Sequence, residues 1–281
     1  PWKEALQILE LMVKNGVMPN MRTYSAAISA CEKKAQAKPA LGLLQRMKND
    51  RIVPDFIVYS AAISACGKAG LWESALKLFE EMKKAGERPD VVTFSSLITA
   101  YDRGGQWEKA LEVFKEMEAA GVAPNVIAYS AAIRACDKSG NWKRAVGLLE
   151  RMKNDGMQPD STAYNYVISA LSHAGQWDAA FSIYRQILKA DTPKIKISTY
   201  CTVIRGFGVN GEWEKAMGVL TSMEGSGVEA TSEVLESLYW ALIDCKQDEV
   251  AEEIRQKLEV EGVVSLKRRK KSEPEKAEEA L

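Results

Sequence analysis

The chain has 281 residues with Lys plus Arg and Asp plus Glu balanced at 38 each, so net charge gives no support to a polyanionic partner and only the placement of cations can. Hydrophobic residues make up 46%, ordinary for a soluble protein, and no run of about 18 apolar residues is present to span a bilayer. The five cysteines, Cys31, Cys66, Cys136, Cys201 and Cys245, form no CxxC pair and His173 is the single histidine, so neither a disulfide framework, a metal site nor a cofactor is expected.

A fixed period organises what remains. The stretch VVTFSSLITAYDRGGQWEKALEVFKEMEAAGVAPN, Val91 to Asn125, aligns with the stretches 35 residues upstream and 35 downstream of it. Self-similarity at a period of roughly 20 to 50 residues is the mark of a solenoid. In chain order the units are a half repeat at 1–20, full repeats at 21–55, 56–90, 91–125, 126–160, 161–196 and 197–231, a degenerate capping repeat at 232–266, and a charged tail at 267–281. The chain opens at Pro1 in the middle of a repeat, so further sequence, any targeting peptide included, is expected upstream.

Each repeat reads as two helices. In the unit from Phe56, the residues Tyr59, Ala62, Ile63 and Cys66 are spaced i, i+3, i+4, i+7, and Trp72, Ala75, Leu76, Phe79 and Met82 form a second apolar stripe. Gly70 suits a left-handed residue closing the first helix, and Gly86 with Pro89 ends the second. Glu73 with Lys77 and Glu80 with Lys84 are expected as i,i+4 pairs on the outer surface. Trp begins the second helix at Trp2, Trp72, Trp107, Trp142, Trp177 and Trp213, with Ala37 the exception; sharing a stripe with Ala, Leu and Met, these rings read as packing between hairpins rather than a base-stacking platform. Cys31, Cys66 and Cys136 recur at one position of the apolar face and read as core residues. The fifth repeat carries one extra residue near Asp191 to Lys194.

The 35-residue period, the opening V-x-T-[YF]-[NS] at Val91 to Ser95, the G-x-W-[ED]-x-A-L core and the closing G-x-x-P-[DN] resemble pentatricopeptide repeat proteins, over residues 1 to about 266. The resemblance implies an all-α, right-handed superhelical solenoid of stacked antiparallel helical hairpins whose first helices line the concave face. It also implies a P-type array that binds single-stranded RNA in organellar RNA processing, stabilisation or translation, in chloroplast or mitochondrion, with other RNA-processing proteins as further partners.

Repeat positions 2, 5, 9 and 13 lie opposite the apolar stripe of the first helix. Position 13 reads Lys33, Lys68, Arg103, Lys138, His173, Val209, and position 9 adds Arg134 and Arg205. Such a row suits phosphates tracking a groove, while Lys or Arg at a helix C-terminus also complements the helix dipole without any ligand. In the family, position 5 and the last residue of a repeat together choose one base. Carried over, the pairs are Ser25 with Asp55, Ser60 with Asp90, Ser95 with Asn125 and Ser130 with Asp160, implying 5′-GGAG; Asn165 with Lys196 follows as a weakly specified pyrimidine, and Cys201 with Thr231 departs from the pattern. Position 2, which the family uses to sandwich bases, carries Arg22, Ile57, Val92 and Ile127.

Each reading has a structural counterpart. Asp or Asn just before a helix is a strong N-cap and needs no RNA to explain it. The last unit places Glu233, Glu236, Trp240 and Asp244 on the same face and reads as a cap, and the tail beyond it, with the basic cluster Lys267 to Lys271, reads as a disordered end. No catalytic constellation is present, so the chain reads as a monomeric binder rather than an enzyme and as no membrane protein. The alternative from another class is a protein-interaction scaffold whose groove takes a peptide.

Overall fold

The computed structural model describes residues 2–189 and 195–260. The described residues form fifteen α-helices, no strand, and none of these helices is long and apolar enough to cross a membrane. The extra residue expected near Asp191 to Lys194 and the tail with its Lys267 to Lys271 cluster lie outside the described residues.

The chain divides into two compact units, residues 1–175 and 176–281, with the boundary inside the fifth predicted repeat. The first unit holds α1 (Trp2–Lys14), then four hairpins: α2 (Met21–Lys33) with α3 (Ala37–Asn49), α4 (Phe56–Ala69) with α5 (Trp72–Lys84), α6 (Val91–Arg103) with α7 (Trp107–Ala119), and α8 (Val126–Lys138) with α9 (Trp142–Asn154). It ends with α10 (Ser161–His173). The second unit holds α11 (Trp177–Lys189), α12 (Ile197–Val209), α13 (Trp213–Gly225), α14 (Ser232–Asp244) and α15 (Asp248–Val260).

Within the first unit α2, α4, α6, α8 and α10 pack each on the next, and every second helix packs on the first helix that follows it. Second helices of neighbouring hairpins do not approach backbone to backbone. They are bridged instead by long charged side chains: Lys48 to Glu81 at 2.5 Å, Lys83 to Glu116 at 2.8 Å and Arg151 to Glu118 at 2.6 Å. These replace the expected pairs Glu73–Lys77 and Glu80–Lys84, which do not form among the described residues. The sequence arithmetic sees partners four residues away on one helix, whereas stacking brings charges 33 residues apart into better reach. Because the first helices touch and the second helices do not, the first-helix layer of this unit is the more tightly packed one.

A repeated aromatic contact ties the layers. Phe79 meets Phe94 and Phe114 meets Tyr129 edge to face, both with ring centroids 5.3 Å apart, joining a second helix to the next first helix. In the second unit Tyr184 meets Tyr200 at 6.3 Å in the same way. Trp72 stacks on Tyr101 at 5.7 Å and sits where a Cβ on Gly104 would lie 2.3 Å from its ring, so this indole is a packing element between hairpins. Trp177 fills the space left by Gly206 in the second unit. Cys31, Cys66 and Cys136 are fully buried, and burial pushes the Cys66 and Cys136 thiols up to about 11, which leaves them unreactive core residues.

Both turns of each hairpin need a left-handed residue. Glycine supplies it at Gly70, Gly105, Gly140 and Gly175 after the first helix and at Gly86, Gly121 and Gly156 after the second. The repeat from Met21 uses Ala35 (φ 53°) and Arg51 (φ 59°) instead. A side chain in this region is strained, by about 1 kcal/mol, and glycine removes the strain while adding some unfolded-state entropy. Ala35→Gly and Arg51→Gly are therefore expected each to raise stability by roughly 0.5 kcal/mol, read by urea denaturation. A loss of stability in both would contradict the strain assigned to these turns.

Candidate nucleic-acid interface

The residues that close each repeat are the N-caps of the next first helix. Asp55 Oδ1 accepts from the Val58 N–H at 3.0 Å, Asp90 Oδ1 from Thr93 at 2.8 Å, Asn125 Oδ1 from Ala128 at 2.8 Å and Asp160 Oδ1 from Ala163 at 2.8 Å. Capping therefore uses one side-chain atom at each place and leaves the other: Oδ2 in Asp55, Asp90 and Asp160, and the Nδ2 amide in Asn125. At one atomic position the array thus presents an acceptor in three repeats and a donor in one. Both the capping role and a ligand role fit the same side chain, because they use different atoms.

Position 5 lies deeper than an open face. Ser60 and Ser95 are buried, Ser25, Ser130 and Asn165 are half-buried. In the first unit α4, α6 and α8 are each hemmed by their own second helix and by the first helices before and after, so the burial there spreads well past the apolar stripe. The Ser95 hydroxyl lies within bonding distance of the Val91 carbonyl (2.5 Å) and of Asn125 Oδ1 (3.0 Å), which ties position 5 to the closing residue of its own repeat. Thr93 Oγ1 reaches Ser60 Oγ at 3.3 Å and Asp90 Oδ1 at 2.8 Å. Ser130 Oγ is buried without a hydrogen-bond partner. Position 2, by contrast, is open: Arg22 is exposed, and Ile57, Val92 and Ile127 stand 56%, 47% and 60% exposed, three aliphatic side chains in a row at one height. Scattered single apolar residues on a surface carry no message, but a periodic row does.

All the cations named at position 13, Lys33, Lys68, Arg103 and Lys138, are exposed, with Arg134 half-buried and Arg205 exposed. Apart from Lys33, each of them has a partner among the described residues. Lys68 is paired to Glu32 of the preceding repeat, whose carboxylate also accepts from the Ser64 hydroxyl at 2.9 Å. Arg103 donates to the Lys68 carbonyl at the end of α4. Arg134 lies 3.3 Å from Asp102 and 5.7 Å from the centre of the Tyr166 ring. Lys138 is 3.8 Å from Asp137, and His173 Nδ1 is 3.4 Å from the same residue. Arg205 Nε donates to the Cys201 carbonyl at 3.3 Å.

The acids in these pairs, Glu32, Asp102 and Asp137, share repeat position 12, outside the set 2, 5, 9 and 13 that helical geometry marks as the open face. Asp102 and Asp137 are each only 5% exposed, and the Oδ1 atom of each is buried without a hydrogen bond. Burial pushes the Asp102 carboxyl up to about 6, against the opposing pull of Arg134, Arg103 and Lys138. A signal was present in the sequence: an acid at position 12 is followed one repeat later by a cation at position 9 or 13, as in Glu32 with Lys68 and Asp102 with Arg134. Among the described residues no group of His, Cys, Asp and Glu is arranged to hold a metal ion.

A family model described as the pentatricopeptide repeat domain matches residues 7–69, 77–139 and 128–174, and one described as the PPR repeat matches 57–87, 162–191 and 198–228. The chain belongs to the pentatricopeptide repeat family. No curated protein matches this pentatricopeptide repeat chain significantly in sequence. Among solved structures it is similar to the pentatricopeptide repeat protein PPR10 from maize, with a TM-score of 0.56 and 23% identity over 93% of this chain and 42% of that one. A complex of PPR10 with an 18-nt psaJ RNA element matches with a TM-score of 0.55 at 21% identity, over 92% and 43% of the two chains. The PPR domain of Arabidopsis thaliana protein-only RNase P 1, in complex with tRNA, matches with a TM-score of 0.57 at 16% identity, over 69% and 95%. This pentatricopeptide repeat chain thus spans less than half the length of PPR10.

Proposed function

We propose that this pentatricopeptide repeat array binds single-stranded RNA along its first-helix layer, about one base per repeat, with 5′-GGAG-3′ as its core. The observation that carries the reading is the divided use of the closing residues, in which Oδ1 caps the helix and the second atom stays available. Guanine offers two adjacent N–H donors on its Watson–Crick edge, which suit the spare oxygens of Asp55, Asp90 and Asp160. Adenine offers the N1 acceptor, which suits the spare amide of Asn125. Ile57, Val92 and Ile127, with Arg22 ahead of them, stand where successive bases can be sandwiched, and Lys33, Lys68, Arg103, Arg134, Lys138 and Arg205 are the phosphate partners.

Ser25, Ser60, Ser95 and Ser130 are short enough to leave room for a purine, and Asn165 takes a less specified pyrimidine. The chain acts as a monomeric binder with no catalytic step of its own, in RNA processing, stabilisation or translation inside a chloroplast or mitochondrion, where other RNA-processing proteins join it. Two of the similar structures are complexes with RNA, which supports the partner class.

The test is a titration of fluorescent GGAG-containing RNA against a pyrimidine-only RNA of equal length at several salt concentrations. Preference for GGAG, with an affinity that falls as salt rises by a log–log slope of about −0.7 per phosphate contacted, is the expected outcome. Equal weak binding to both RNAs would remove base reading, and no RNA binding beside capture of an acidic peptide would favour the scaffold reading.

A further inference from the structure

Carboxylates lie beneath the cations of the first-helix layer. Position 12 of the first helix faces the following first helix. Where it is Gly67, an added Cβ would lie 2.5 Å from the Ser96 carbonyl oxygen, and where it is Gly208, 2.6 Å from the Ala241 Cβ. These junctions are closed by contact of the helices. At Glu32, Asp102 and Asp137 the same position holds an acid, and each acid meets a basic side chain of the next repeat: Lys68, Arg134 and His173 respectively, with Lys138 also beside Asp137. Nothing about stacking demands acids there, since glycine serves at the alternative junctions.

The acids are also poor structural ion pairs. Asp102 and Asp137 are nearly wholly buried, each with an oxygen lacking any hydrogen bond, while Arg134 and Lys138 keep their charged ends partly in solvent. A buried carboxylate left half-satisfied is costly to the fold. Its lasting effect is electrostatic: it subtracts positive potential from the strip where an RNA phosphate would meet Arg134 or Lys138, in a medium that screens poorly.

We propose that Glu32, Asp102 and Asp137 are built-in competitors of the RNA backbone for Lys68, Arg134, Lys138 and His173, and that their charge sets how tightly the array holds RNA. This rests on the RNA-binding reading above. The acids keep the cations pointed along the strip and lower their pull on phosphate, so that more of the affinity comes from the bases and less from the backbone. Sequence discrimination gains where unselective phosphate binding is held down.

Asp→Asn separates the two effects, because Asn keeps an oxygen to hold Arg134 in place and removes only the charge. Asp102→Asn and Asp137→Asn are each expected to bind GGAG-containing RNA roughly three- to tenfold more tightly at moderate salt, on the scale of one charge a few ångströms from a phosphate. They also steepen the log–log salt slope by up to about 0.7 each and reduce the margin between GGAG and a pyrimidine RNA. Glu150→Gln on α9, an exposed acid outside the first-helix layer, changes net charge by the same amount and leaves all three readings unchanged. Far-UV melting curves verify that each variant is folded, and Glu32→Gln at an independent junction repeats the measurement should either Asp variant fail to fold. Unchanged or weaker RNA binding by the folded Asp102→Asn, Asp137→Asn and Glu32→Gln variants, while the wild type binds GGAG, would overturn this inference and leave the proposed function standing. No RNA binding by the wild type would overturn both.

Discussion

Asn125→Asp is expected to switch the third base of the proposed GGAG core from A to G. The capping atom is unaffected, because Asp Oδ1 accepts from the Ala128 N–H and from the Ser95 hydroxyl as Asn Oδ1 does. What changes is the spare atom, a donor in Asn and an acceptor in Asp. Against adenine, Asn Nδ2–H meets N1; the carboxylate would place an acceptor against that acceptor. Against guanine the order reverses. A mismatched polar pair in a partly desolvated contact costs about 1–3 kcal/mol, so a preference of roughly tenfold for GGAG over GGGG becomes one of similar size the other way. Asn and Asp are near-equal N-caps, and the melting temperature moves little. Paired titrations with GGAG and GGGG oligonucleotides measure the switch. Equal affinities for both RNAs in wild type and variant would reduce Asn125 to a cap.

Gly67→Ala and Gly147→Ala move stability in opposite directions. Both glycines sit inside helices, α4 and α9, where replacing Gly by Ala raises helix propensity by about 1 kcal/mol. At Gly147 nothing lies within 4 Å of the added Cβ, and the propensity gain is the whole effect. At Gly67 the Cβ would meet the Ser96 carbonyl oxygen at 2.5 Å and its carbon at 3.2 Å, and these are backbone atoms of α6 that no rotamer can move. The helices must separate along the junction, and overpacking of this kind costs typically 1–3 kcal/mol, enough to outweigh the propensity. Urea denaturation is expected to show Gly67→Ala destabilised by about 1–2 kcal/mol and Gly147→Ala stabilised by roughly 0.5–1. A stabilised Gly67→Ala would show that α4 and α6 are not in the close contact described.

The helices were legible because their signals are local. Tyr59, Ala62, Ile63 and Cys66 mark a buried face by spacing alone, and Gly70 and Asp90 mark the ends through backbone geometry confined to a few residues. The half-exposed Trp rings were legible as packing elements from the company they keep on the helix. What depends on neighbours a repeat away was not legible. Ser60 and Ser95 read as groove residues from helical geometry, yet adjacent first helices close over them. Lys68 and Arg134 read as open cations, because the carboxylates that meet them lie 36 and 32 residues upstream. Asp102 reads as an ordinary polar residue near a helix end, and only the stack makes it a buried charge with its pKa pushed up to about 6. The period itself held the missing clue, since residues one repeat apart are neighbours in such an array.

In the proposed function the closing residues and the cations make distinct demands on RNA, the first for particular bases and the second for any backbone. On that proposal a chain with no net charge binds RNA because its cations are local, most of them paired, and the bases are left to decide. The most direct measurement is selection of bound sequences from a fully random single-stranded RNA pool by the purified chain. The account predicts enrichment of GGAG in one register, with the A position the one altered by Asn125→Asp. Enrichment of an unrelated motif, or none, would contradict it.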